Sequence, residues 1–229
     1  MTAKKAKFAC GFCSRAFTNE RTLGAHMCEK KRRHNDKDNV ASRMGLQLYQ
    51  RFYELNTATK NPKSMKEFID SKYYKAFIKF ARHLMDLRPV DQARFVDYVF
   101  RNGIKDRDWC KDKVYEAYIL DLLAKEPASR GLERTIRTME EWAADTEYEY
   151  NEFFRYATPS EATHMVQMGK ISPWVLYLAE TSDLLWDRLS DEQAGLISSV
   201  VNPKIWQAKF SIKQDECNFT REILHEAHI

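Results

Sequence analysis

Glycine and proline are scarce, at 7 and 6 of 229 residues. No stretch approaches the roughly 20 apolar residues that a membrane-spanning helix needs. The first shortage argues against a turn-rich sheet protein; together with abundant Leu, Met, Lys, Glu and Arg it favours helices. The second excludes a helical membrane span. The opening stretch MTAKKAKFAC has lysines but no apolar run, so no secretory signal is expected there. Signatures of catalysis are missing too. There is no Gly-rich phosphate loop, no His-Glu-x-x-His and no Gly-x-Ser-x-Gly. His83, His164, His225 and His228 are scattered, none with a Cys or Ser partner at a recognisable spacing. Asp183 and Asp187 stand four apart and, with Asp121, are the remaining acidic candidates for a metal, but a solvated helix face accounts for such a pair. The expectation is a protein that is not an enzyme. Its hydrophobic content of 44% still suffices for a real core.

What is present is concentrated near the start. The chain has five cysteines. Cys110 and Cys217 stand alone in helical contexts and read as buried thiols. The other three fall in Phe8–His34, FACGFCSRAFTNERTLGAHMCEKKRRH, where Cys10 and Cys13 are separated by two residues and His26 follows after twelve. Such clustering is metal usage in a reducing compartment rather than a disulfide framework, so a cytosolic or nucleoid location is expected. Cys10 and Cys13 fit a tight knuckle, with Gly11 supplying backbone freedom. Phe8, Phe17 and Leu23 would form a small core, Asn19 or Thr18 would cap a helix entering at Glu20, and His26 would project from that helix toward the thiolates. A unit of about 30 residues buries too little surface to fold alone, so a zinc ion would supply the missing stability. Two residues compete for the fourth ligand position. His34 lies eight residues beyond His26, about 12 Å along a continuous helix. Cys28 lies two beyond and faces away from His26 in a regular helix, but reaches the same metal if the helix loosens at Gly24 or ends near His26. The smaller distortion favours Cys28, with His34 as the alternative.

This stretch resembles the Cys2His2 zinc-finger family in three ligands, two spacings and three apolar positions. It departs from that family where a second histidine is expected, three to five residues after the first; Lys30, Lys31 and Arg32 occupy those places. The resemblance implies a ββα fold and bound Zn2+. It also implies that residues at the start and middle of the finger helix face bases, which here are Asn19, Thr22 and Ala25 with Arg21 beside them. Asn can pair with adenine, but Thr and Ala discriminate little, and one finger spans about three base pairs. Sequence-specific reading by this element alone is therefore not expected.

Charge supports an anionic partner. The net charge of +4 is unevenly spread: residues 1–40 carry ten Lys or Arg against four acids, leaving 27 basic and 29 acidic residues in the rest. The run Lys30-Lys31-Arg32-Arg33, with Lys4, Lys5, Lys7, Arg15 and Arg21, can neutralise phosphates in a salt-dependent, mostly sequence-independent way. A solvated face or an electrostatic linker is the plainer explanation of the same charges.

Beyond the finger (residues 1–34, including the basic extension) a polar hinge is expected at 35–39, then an all-α domain over 40–229. Met44, Leu48, Phe52 and Leu55 make one helical stripe, with Tyr49 and Tyr53 alongside. Ser64–Glu67 is a capping box. Tyr73, Tyr74, Phe77, Ile78, Ala81 and Leu84 share a face interleaved with lysines, which reads as a core stripe or as a platform for single strands. Thr158-Pro159, Ser172-Pro173, Ser190–Gln193 and Asn202-Pro203 mark helix starts at short intervals. The fold class is thus mainly α, a small ββα finger followed by many helices. The order finger, Cys28-Glu29-Lys30-Lys31-Arg32-Arg33, then Gly45-Leu46-Gln47-Leu48-Tyr49-Gln50-Arg51-Phe52 resembles finger-plus-helical-body proteins of large tailed bacteriophages, which implies a DNA-handling context. The leading expectation is a zinc-dependent nucleic-acid-binding accessory protein, DNA being the expected form, with a protein partner docked on the helical body. The other is a protein adaptor that uses the finger as a docking knob.

Overall fold

The computed structural model describes residues 8–57 and 61–229. Lys4, Lys5, Lys7 and the opening stretch read for a secretory signal, and the middle of the loop expected over Thr57–Lys63, lie at least partly outside the described residues. The chain is 69% helical, and among the described residues the one sheet is a two-stranded hairpin at the start. By spatial proximity the chain divides into two compact units, Met1–Arg88 with Gln92–Cys110, and Pro89–Asp91 with Lys111–Ile229.

The first unit opens with β1 (Phe8–Ala9) and β2 (Ala16–Phe17), antiparallel with Phe8 opposite Phe17. Then come α1 (Glu20–Ala25), α2 (Glu29–Asn35), α3 (Val40–Asn56), α4 (Met65–Asp70), α5 (Tyr74–Leu87) and α6 (Gln92–Arg101). The polar residues before each apolar run act as caps. Asn39 accepts the Ser42 amide at 2.7 Å to start α3, so the stretch 35–39 is the end of α2, a turn and a cap. Ser64 and Glu67 form the reciprocal box expected for α4. Arg88 at φ 47 stops α5, and Gly103 at φ 62 follows the end of α6, the left-handed conformation that favours glycine.

Of the predicted α3 stripe Leu48 is buried and Met44, Phe52 and Leu55 are half-buried; the buried line also takes in Ser42, Gly45 and Tyr49, since Gly45 admits a close neighbour. A Cβ there would lie 3.0 Å from Phe68 Cζ and 3.1 Å from Ile78 Cδ1. Phe68 is fully buried among Tyr49, Tyr74 and Phe77 and has little room to yield. Gly45→Ala is therefore expected to destabilise this unit, overpacking at about 1–3 kcal/mol outweighing a helix-propensity gain of about 1 kcal/mol. Denaturant titration would read this; a gain in stability would contradict it. The aromatic stripe of α5 is a core face. Tyr74, Phe77, Phe80, Ala81 and Leu84 are buried, and Phe52, Phe77, Phe80 and Phe100 surround Trp109, which leaves Tyr73 as the one exposed ring of the predicted stripe.

The second unit holds α7 (Asp112–Lys125), α8 (Ala128–Ala144), α9 (Phe153–Tyr156), α10 (Pro159–Gln167), α11 (Pro173–Leu176), α12 (Asp183–Trp186), α13 (Asp191–Val200), α14 (Pro203–Ile212) and α15 (Gln214–Glu226). Thr158, Ser172, Ser190 and Asn202 each cap the helix that follows, as their sequence positions predict. Trp174, Tyr118, Phe153 and Phe154 are the largest fully buried side chains of this unit. One charged side chain is buried there among the described residues, beside several hydroxyls: Glu126 accepts both terminal nitrogens of Arg134 and the Ser172 hydroxyl.

Candidate metal centre

The hairpin turn brings Cys10 and Cys13 to one end of the first unit. The Cys10 amide donates to the Arg15 carbonyl and the Ser14 amide to the Cys10 carbonyl, both at 2.9 Å. The residue with the left-handed backbone is Ser14, at φ 59, so the turn does not draw on the conformational freedom expected of Gly11. Asn19, rather than Thr18, caps α1, its Oδ1 accepting the Thr22 amide at 2.8 Å. The helix then stops at Ala25 and His26 is extended, at φ −72 and ψ 119. Cys28 is also extended and caps α2, where Lys31 donates its amide to the Cys28 sulfur at 3.4 Å. The end of the helix near His26 is what allows a His-x-Cys pair to converge.

Cys10, Cys13, His26 and Cys28 each offer one ligand atom, and all four atoms lie within 4.8 Å of one another. Cys13 Sγ is 3.2 Å from His26 Nε2, and the sulfurs of Cys10 and Cys28 are 3.9 Å apart. A tetrahedral centre with metal–sulfur bonds of about 2.3 Å has sulfur–sulfur edges of roughly 3.8 Å, so this donor set fits an ion at its middle. The Phe12 amide, 3.4 Å from the Cys10 sulfur, and then the Cys13 amide hold the Cys10 thiol down to about 7, toward the thiolate that binds metal. Cys10 is buried, and the ring of Phe17 rests 4.7 Å from that of His26. Among the described residues no other group of His, Cys, Asp or Glu gathers in this way. His34, the alternative ligand, stands apart, with its ring 5.2 Å from that of Phe12.

The basic residues divide. Arg33 is turned into the unit: its NH1 donates to the carbonyls of Ile69 and Ser71 at 2.9 and 3.0 Å, and its guanidinium lies 4.6 Å over the ring of Tyr74. Glu29 pairs with Arg33 at 2.5 Å and with Lys75 at 3.1 Å; the Arg33 and then the Lys75 hydrogen bonds hold its carboxyl below the usual range. Lys30 pairs with Asp70 at 3.3 Å, and Lys31 donates to the His26 carbonyl at 3.3 Å. Thr22 turns its hydroxyl back to the Asn19 carbonyl at 2.9 Å, so both polar candidates on α1 serve its first turn. Arg15 leans on Phe17. Arg21 and Arg32 are exposed and have no ionic partner among the described residues.

Sequence reading missed Cys28 as a helix cap, and with it the anchoring of α2 on α4. The Glu29–Arg33 spacing of four was a visible signal for part of this; the carbonyls of Ile69 and Ser71 left none. Neither the families, the curated proteins nor the solved structures with which the chain was compared include a match to it.

Proposed function

We propose that Cys10, Cys13, His26 and Cys28 hold a structural zinc ion, and that the element they shape is the phosphate grip of a nucleic-acid-binding accessory protein, DNA being the expected form. The observation that carries the first half is the convergence of three thiols and one imidazole within 4.8 Å. Four protein ligands complete a tetrahedron and leave no open position for substrate, which is the arrangement of structural rather than catalytic zinc. The second half rests on the localised positive charge and on exposed Arg15, Arg21 and Arg32. Because Lys30, Lys31 and Arg33 serve the fold, the surface that meets phosphates is narrower than the full basic run. The helical units would then dock a protein partner. No helix among the described residues is long and apolar enough to cross a membrane.

The test is a salt titration of duplex binding by the zinc-loaded protein. Each phosphate that a variant no longer neutralises lowers the slope of log K against log salt by about 0.9 on B-form DNA. The triple variant Arg15→Ala, Arg21→Ala, Arg32→Ala is expected to weaken binding and to reduce that slope by up to about 3. An unchanged slope and affinity would refute the grip. The adaptor reading draws on the same internal pairing of Lys30, Lys31 and Arg33, which makes the element a rigid knob. It predicts a protein partner that stays bound after nuclease treatment.

A further inference from the structure

Beside the metal centre, the knuckle and α4 form a groove of about 520 Å³, within the roughly 300–1,000 Å³ of sites that take small organic groups. One wall is Phe12, 38% exposed, with the ring of His34 against it. The apolar floor is Met65 and Ile69. Lys37, half-buried, and Lys66, exposed, also line it, and neither ammonium has an ionic partner among the described residues. The groove's one carboxylate, Asp70, is already paired with Lys30. An exposed ring in a groove that two unpaired cations also line suits a flat, uncharged ring that carries anions beside it.

We propose that this groove seats one unpaired base of a single-stranded nucleic acid, stacked on Phe12, with the flanking phosphates on Lys37 and Lys66. This deepens the nucleic-acid reading above and rests on it. A base inside a duplex has both faces covered by its neighbours and cannot offer one to Phe12, whereas an unstacked base can. The groove thus assigns a strand preference that the charge distribution alone does not.

The test uses the full-length, zinc-loaded protein, an oligothymidylate carrying one 2-aminopurine, and a duplex of the same length. The single strand is expected to bind more tightly, with the 2-aminopurine fluorescence changed by stacking. Phe12→Ala should weaken single-strand binding roughly 5- to 150-fold, the range for one stacked base, while Phe12→Tyr restores it and duplex binding stays as it was. Metal content is measured alongside, since Phe12 lies between two ligands. Lys37→Ala with Lys66→Ala, away from the knuckle, should lower the single-strand salt slope by about 1.4. Equal binding of both forms, indifferent to all these changes, would overturn the groove and leave the phosphate grip standing. Failure of every oligonucleotide to bind at low salt would overturn both. Binding of an acidic peptide in their place, abolished in Phe12→Ala, would overturn the base seat in favour of a protein partner.

Discussion

Chelating the zinc of the proposed centre is expected to unfold residues 8–35 while the second unit keeps its helices. The hairpin and α1 have almost nothing else to hold them, and α2 has only its side-chain ties to α4, Ser71, Tyr74 and Lys75. The strands are two residues each, and α1 and α2 have six and seven residues with none buried. Isolated helices shorter than about 12–15 residues are marginal in water. A structural zinc contributes about 10–16 kcal/mol in finger peptides near neutral pH, far more than these short elements can replace. The effect should also travel. Cys28 is a ligand and the cap of α2, and α2 carries Arg33 and Lys30 onto Ile69, Ser71 and Asp70. Without metal, the Cys28 sulfur that caps the first turn of α2 is no longer tied to the other three ligands. Hydrogen exchange with and without chelator would read this as fast exchange over α1 and α2 and faster exchange in α4. Cys28→Ser should reproduce it in metal-containing buffer. Unchanged protection over 8–35 after complete metal removal would refute a structural role. Acidification works in the same direction, because the thiols bind metal only when deprotonated.

Local chemistry was legible in the sequence, and long-range pairing was not. Asn19, Ser64, Thr158, Ser172, Ser190 and Asn202 announced their helices because a cap and its amide lie within three residues of each other. The ligand group was legible for a similar reason: Cys10, Cys13, His26 and Cys28 sit within nineteen positions of chain, and the choice between Cys28 and His34 turned on the length of one helix. The inward place of Gly45 on α3 left no signal, because its reason lies in Phe68 and Ile78 on other helices. The run Lys30–Arg33 looked uniform in sequence. In the structure Arg32 is exposed while Arg33 meets carbonyls 36 and 38 residues away. Glu126 offered no signal at all, since a glutamate before Pro127 reads as an exposed helix end.

That glutamate supports the other large prediction: Arg134→Ala should destabilise the second unit by about 3–5 kcal/mol. The Glu126 side chain is 1% exposed and that of Arg134 is 16% exposed, so the pair is largely shielded from water. Removing Arg134 leaves a carboxylate in the interior with the Ser172 hydroxyl, at 2.8 Å, as its one remaining side-chain donor and the field of the Lys209 ammonium as its remaining positive charge. Ser172 is itself tied in, its amide donating to Thr135 Oγ1 at 2.8 Å while its hydroxyl oxygen caps α11. The close approach of Gly131, whose Cβ would come within 3.0 Å of Ser172 Cβ, leaves no slack for rearrangement. The double variant Glu126→Leu, Arg134→Met separates the penalty of an orphaned charge from the value of the pair. Removing both charges should recover much of the loss, because the desolvation of two ions offsets most of their attraction. Denaturant unfolding of wild type, the single variant and the double variant would measure all three. If Arg134→Ala cost less than about 1 kcal/mol, the range of an exposed pair, the carboxylate would have to be reaching water. If the double variant were as unstable as the single, the ion pair itself would be what holds the α7–α8 junction to α8 and, through Ser172, to the start of α11.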